Sequence, residues 1–362
     1  MKPQKPLSGI VSHTSDDCSD SMLYAYGFSL RKQPIIRRFA GNRKVRFISQ
    51  VAHLPSGSSL LLWGSHPVPS GLTQGVQIIR LEDGFLRSVG LGADLIQPLS
   101  LAVDRSGIYY DATRPSDLEQ LLQTAAFSPE LLERASQLRS RIVEHRVTKY
   151  SVGSKSWHRS PELLETGQRV LLIAGQVETD ASIQFGAPVI KTNIALLQAV
   201  KEAEPDVYIV YKSHPDVAAG LRARGQGEEK VHQWCNEIVS DVSMGELLTA
   251  VDEVHVMTSL TGFEALLRGK HVTCYGQPFY SGWGLTKDME PVSRRTRQLS
   301  LDMLAAGALI LYPIYVSRKT GKVTTPENVL DELLAWKENN LRRLSVSRKM
   351  ARFFIKNLFS QP

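Results

Sequence analysis

The stretch "RVLLIAGQVETDAS", residues 169–182, decides the fold. Val170 to Ala174 form an unbroken apolar run, as expected for a strand buried on both faces of a parallel sheet. The chain then turns polar at once, with Gly175 followed by Gln176, Glu178 and Asp180. Downstream, "IKTNIALLQAVKEA" has amphipathic helical spacing and "DVYIVYKS" reads as a strand. "MGELLTAV" reads as a short helix, "EVHVM" as a strand, "GFEALLRG" as a helix and "HVTCYG" as a strand. This alternation predicts a parallel sheet with helices on both faces, which binds its ligand beyond the carboxyl ends of its strands. Gln176 to Asp180 lies at such an end.

Upstream, "KVRFIS", "SSLLLWG", "VQIIRLED" and "SLAVDR" are short apolar segments separated by turn residues. "PSDLEQLLQTA" and "SPELLERASQLRSRIVEHRV" have helical spacing, with Pro115-Ser116 and Ser128-Pro129 at their starts. "KYSVGSKSWHRSPELLETGQ" is polar and irregular and reads as a linker. The expected class is therefore α/β and GT-B-like, two Rossmann-like domains with a cleft between them. A flexible leader covers 1–20, the first domain 21–150, the linker 151–168 and the second domain 169–310. Residues 311–362 pack back across the domains and end in a basic tail. A chain of 362 residues accommodates two such domains.

Composition bounds the function. With 42% hydrophobic and 22% charged residues, neither a disordered chain nor a fibre is expected. No apolar run approaches the about 20 residues that span a bilayer, and no secretory signal is readable at the N-terminus. Cys18, Cys235 and Cys274 are odd in number and widely spaced, which fits reduced thiols in the cytoplasm. The net charge of +7 admits anionic partners. Much of it lies in "RKQPIIRRFAGNRKVR" and "LRRLSVSRKMARFFIKN", each readable as a solvated face or as a surface for anionic lipid. Neither has the interleaved stacking aromatics of a nucleic-acid site.

In "YIVYKSHPDV", Lys212, Ser213, His214 and Pro215 follow a strand. Lys212 supplies a point charge, His214 a donor for phosphate, and Pro215 fits the first position of a helix whose amides attract anions. The same residues also suit a plain strand-to-helix turn. In "MTSLTGFEALLRGK", Thr261 and Glu264 have capping-box spacing, while Ser259, Thr261 and Gly262 offer hydroxyls and amides to an anion. "RLEDGFLRSVGLG" puts Glu82, Asp83 and Arg87 among Gly84, Gly90 and Gly92 at a strand end, as in a cleft wall or a solvated loop. Glu178 and Asp180 fit a turn or N-cap, and equally a nucleophile or base in glycosyl chemistry. No His or third acid beside them completes a metal set. "GQPFYSGWGLT" suits either a sugar platform or cover for a core edge.

Taken in order, "EDGFLRSVGLG", "YYDATRPSDLE", "GQVETDAS", "YKSHPD", "SLTGFEALLRGK", "GQPFYSGWGLT" and "YPIYVSRKTG" resemble the bacterial capsule polysaccharide β-Kdo glycosyltransferases of the KpsC/LipA type. The resemblance runs from about Tyr24 to Leu330, and "YGFSLRKQPIIRRF" is most similar to the second, C-terminal module of the two-module enzymes. It implies a retaining enzyme using CMP-β-Kdo, without metal or other cofactor. The implied acceptor is a Kdo-terminated lipid of the phosphatidylglycerol type at the inner face of the cytoplasmic membrane. It also implies Asp180 as nucleophile, with Glu82, Asp83 or Glu178 as base. Gln176, Lys212, His214, Pro215, Ser259, Thr261, Gly262 and Glu264 would serve the nucleotide, and Arg87 the sugar carboxylate. Two departures stand out: a single module's length, and Ile314, Ser317 and Arg318 where the family has a YPRYxDPxTG pattern. Two other readings stay open, a CMP-sialic acid transferase and a non-catalytic nucleotide-sugar-binding module.

Overall fold

The computed structural model describes residues 22–89, 96–150, 153 and 155–341. The expected leader, Gly90 and Gly92, and the basic tail from 342 onward lie outside these residues.

The first half contributes β1 (Leu23–Tyr26), β2 (Val45–Ile48), β3 (Ser59–Trp63), β4 (Gln77–Asp83) and β5 (Ser100–Asp104). The second contributes β6 (Val170–Ala174), β7 (Tyr208–Lys212), β8 (Glu237–Val239), β9 (Glu253–Val256), β10 (His271–Cys274) and β11 (Lys287–Asp288). The chain then returns, and β12 (Pro313–Val316) and β13 (Val323–Thr324) extend the first sheet. Strand order is β13-β12-β5-β4-β3-β1-β2 in one sheet and β11-β10-β9-β6-β7-β8 in the other. This is the expected GT-B-like pair of α/β halves.

The second sheet is parallel throughout, and every residue of β6 is buried, as its apolar run requires. From β6 the chain proceeds to β7 and β8 on one side and to β9 and β10 on the other. The order therefore reverses between β6 and β9, and the crevice of such a sheet opens at that switch point. In the first sheet β1 to β4 are parallel, while β5 and β12 run antiparallel to their neighbours.

Two segments differ from the sequence reading. The stretch read as an irregular linker is packed onto the second sheet. Lys155 bridges Val242, Trp157 is buried and donates to Glu237 (2.9 Å), and Pro161–Thr166 is a helix capped by Ser160. One buried indole and a Ser-Pro helix start outweigh its polarity. The first basic run contains a helix, Gln33–Phe39, which buries Ile36 and Phe39 while Arg37 stays exposed.

An apolar cluster drawn from both halves joins them. Phe85, from the loop after β4, stacks on Phe279 with ring centroids 4.8 Å apart, and Phe263 lies 5.8 Å from Phe85. Phe279, Tyr280 and Trp283 are all buried, so the aromatic loop is core rather than a sugar platform. The C-terminal helix Pro326–Leu341 returns to the first half, where Glu327 accepts two hydrogen bonds from Arg134 (2.7 and 2.9 Å).

Candidate active site

The two acids after β6 differ in what they touch. Glu178 accepts from the Asn193 amide with one oxygen and from the Gln226 amide with the other, both at 2.8 Å. It ties the loop at 225–227 to the head of helix Asn193–Ala203. Asp180 occupies the N-cap of helix Ala181–Gly186 but makes no side-chain cap bond. Its carboxylate, 41% exposed, pairs instead with Arg222 (2.6 Å). Gln176 is buried across the switch point: its side chain accepts from the Thr258 amide and donates to the Thr258 hydroxyl. These bonds stitch the ends of β6 and β9 together.

At the end of β7, Lys212 is buried and donates to the Ser240 carbonyl (3.0 Å), and burial lowers its pKa to about 8. His214 accepts from the Asp216 amide at Nδ1 (3.2 Å). Desolvation holds its pKa down at about 4, so the ring is neutral at pH 7. A neutral ring with Nδ1 accepting carries its proton on Nε2, which makes His214 a standing donor. The helix that Pro215 starts has fewer free amides for an anion than its sequence suggests. That helix is one turn, Pro215–Ala218, and the Asp216 amide is already taken by His214.

The capping-box reading of Thr261 and Glu264 is also overturned. Ser259 is the N-cap of helix Leu260–Leu267 and accepts from the Thr261 amide (3.2 Å), while its hydroxyl donates to the Thr261 hydroxyl (3.1 Å). Glu264 turns away from the helix start and accepts from the Lys149 amide (2.7 Å); burial raises its pKa. Gly262 is required because any side chain there would collide with the Tyr280 hydroxyl, which donates to the Ser259 carbonyl.

The first half presents its own pair of acids at the end of β4. Asp83 accepts from Arg87 Nε (2.6 Å), and the rest of that buried guanidinium donates to Ser88 Oγ (2.7 Å) and the Ile96 carbonyl (3.1 Å). Arg87 is thus internally engaged. Glu82 accepts only the Asp83 amide among the described hydrogen bonds (2.9 Å). Burial, then the neighbouring Asp83 charge, raises its pKa to about 7. The loop at Tyr110 reaches the second half, its carbonyl meeting Gly186 at the end of the helix that Asp180 starts.

Four residues near these acids were not singled out in the sequence. Arg222 holds Asp180, and Tyr110 reaches across the cleft. Lys32 places its ammonium 3.4 Å from the Trp63 ring centroid. Lys149 stands among Glu82, Asp83, Tyr109 and Tyr150. Burial alone would lower its pKa, but the hydroxyls and carboxylates around it raise it. Tyr110 and Lys32 lie inside quoted stretches, "YYDATRPSDLE" and "YGFSLRKQPIIRRF", but nothing in their spacing marks them, and Arg222 and Lys149 fall in no motif.

The altered final motif has a structural account. Ile314 lies in the core of the first half. The Ser317 hydroxyl and the Arg318 amide donate to Glu332 of the C-terminal helix (2.6 and 2.5 Å), and Arg318 stacks on Trp336 (4.3 Å). These residues anchor a helix. Among the described residues no helix is long and apolar enough to cross a membrane, and no three His, Cys, Asp or Glu side chains gather as if for a metal.

Comparison with known proteins fits this architecture. Thermosulfurimonas dismutans KpsC, β-Kdo 2,7 transferase, is 41% identical with a TM-score of 0.73, over 88% of this chain and 100% of that one. The β-Kdo 2,4 transferase of the same KpsC is 33% identical with a TM-score of 0.74, over 86% of this chain and 97% of that one. Capsule polysaccharide modification protein LipA of Neisseria meningitidis serogroup A is 39% identical over 352 residues, 93% of this chain. The chain spans about half the length of LipA (49%). The profile of the capsule polysaccharide biosynthesis proteins matches residues 70–321, from before the acids of β4 to the turn after β12. With both acid pairs, the His-Pro turn and the connecting helices inside that span, the chain belongs to the capsule polysaccharide biosynthesis protein family.

Proposed function

We propose that the chain transfers β-Kdo from CMP-β-Kdo, with retention, to a Kdo-terminated lipid-linked acceptor of the phosphatidylglycerol type in capsule anchor synthesis. The observation that carries the reading is the accessible Asp180 carboxylate at the switch-point edge, in a chain 41% identical to a β-Kdo transferase along that protein's whole length. The higher identity to the 2,7 transferase than to the 2,4 transferase favours a 2→7 linkage.

In the first step an Asp180 oxygen bonds to the anomeric carbon while the bond to the phosphate breaks, and CMP leaves with the electron pair. His214 Nε2–H and Lys212 offset the charge on that phosphate, so the reading calls for no metal or other cofactor. In the second step the acceptor hydroxyl bonds to the anomeric carbon, the ester to Asp180 breaks, and the hydroxyl proton passes to a base. Glu82 suits that base: Asp83 is paired with Arg87 and both Glu178 oxygens hold amides. Placement in the cytoplasm, at the membrane's inner face, is supported by Leu30, 82% exposed beside the exposed Arg31 and Arg37.

The test supplies CMP-Kdo generated in situ and synthetic acceptors ending in β-Kdo, with products read by mass spectrometry and NMR. One added β-Kdo is expected, and without acceptor a sugar-acid adduct on the peptide containing Asp180. A protein that binds CMP-sialic acid in preference, or that binds no CMP, overturns the reading.

A further inference from the structure

We propose that Lys149 is the residue that recognises the carboxylate on the donor sugar's anomeric carbon, and so selects sugar-acid donors over neutral ones. The inference rests on the transferase reading above and concerns the same site.

Lys149 is clamped where the halves meet. Its amide donates to Glu264 of helix Leu260–Leu267 (2.7 Å), and its carbonyl accepts from the Ser88 amide in the loop after β4 (3.2 Å). Its ammonium lies 5.5 Å from the Tyr150 ring centroid and within the field of Glu82 and Asp83. Tyr150 in turn feels both Arg87 and Asp216, so the Lys149-Tyr150 pair faces the acidic loop on one side and the His214 turn on the other. That is the space between the proposed phosphate pole and the proposed base.

Of the other cations there, Lys32 lies against the Trp63 ring of the first half, and the rest are engaged by hydrogen bonds. Arg87 holds Asp83, Ser88 and the Ile96 carbonyl; Lys212 holds the Ser240 carbonyl. Arg268 holds the Glu264 and Val147 carbonyls, and Arg222 holds Asp180. The Lys149 ammonium meets no hydrogen-bond acceptor among the described residues. The negative charge beside it is shared: Asp83 is also paired with Arg87, and Glu82 is partly protonated near neutral pH. An incoming carboxylate is the group this ammonium lacks. Binding there would also orient the anomeric carbon, which carries that carboxylate directly.

The experiment compares the full chain with Lys149→Met and Lys149→Arg, reading KM for CMP-Kdo, kcat, and inhibition by CMP, which lacks the sugar carboxylate. Lys149→Met is expected to raise donor KM about 10- to 100-fold, the weight of one charge-assisted hydrogen bond. CMP inhibition should stay within about twofold, and Lys149→Arg should recover most of the loss. Equal weakening of CMP and donor, or an unchanged donor KM with lowered kcat, overturns the proposal in favour of a merely structural lysine. Titrations of CMP and CMP-Kdo in an Asp180→Asn background keep the two failures apart. A wild type that transfers nothing overturns the transferase reading. Whether the sugar acid adds affinity over CMP, and whether Lys149→Met removes that increment, still decides the role of Lys149.

Discussion

Two strand ends, β4 in the first half and β6 in the second, each present two acids, and at each end the two acids are held differently. At β6, Glu178 gives both oxygens to backbone amides and Asp180 stands half exposed beside Arg222. At β4, Asp83 pairs with a buried arginine and Glu82 is left with a single amide and a pKa raised to about 7. The two remaining acids differ in turn. On the proposed reading Asp180, exposed and beside a guanidinium, is the acid that attacks. Glu82, desolvated and next to another acid, suits a proton exchanged near neutral pH. The lesson is that an acid's partners, more than its place in a motif, set its chemistry.

The largest effect should come from the second half. Asp180→Asn is expected to lower transfer by at least about 10³-fold while CMP binding is kept, measured by product formation and by CMP titration. If Glu178→Gln abolished turnover as completely, the contrast within that pair would collapse.

Glu82→Gln should cost about 10²- to 10³-fold in kcat. In the wild type, kcat/KM should rise with pH through about 7, because the base works deprotonated, and the variant should lose that limb. Stability carries the opposite sign. The folded protein holds a proton on Glu82 between about 4.5 and about 7 that the unfolded chain has released, so unfolding free energy falls as pH rises through that window. Chemical denaturation of both proteins across that range checks it, with the Glu82→Gln profile expected to be flatter.

Glu178→Gln should act on the fold rather than on chemistry. One of the two amides loses its acceptor, for a loss of about 1–3 kcal/mol visible in denaturant midpoints. The smallest effect on stability is expected from Arg222→Ala. Its pair with Asp180 is open to solvent on both sides, so less than about 1 kcal/mol should be lost. A larger loss would mean that Asp180 is held for the fold, like Glu178.

Much was determined by the sequence alone. The buried run 170–174 and the helix-strand alternation after it specify a parallel sheet, since apolar periodicity is a local property that burial on two faces imposes. Seven motifs in order carry the family. What each site residue touches was decided only by tertiary structure. Thr261 and Glu264 have the spacing of a capping box, yet a lysine amide from the other half claims Glu264 and Ser259 takes the cap. Arg87 resembles a ligand cation, but Asp83 engages it. Lys149, in a polar stretch with no motif, is brought among Glu82, Asp83 and two tyrosines because two long-range backbone hydrogen bonds hold it between the halves. Spacing along a chain reports local partners. Which groups desolvate or neutralise one another across a cleft depends on loops that meet only after folding.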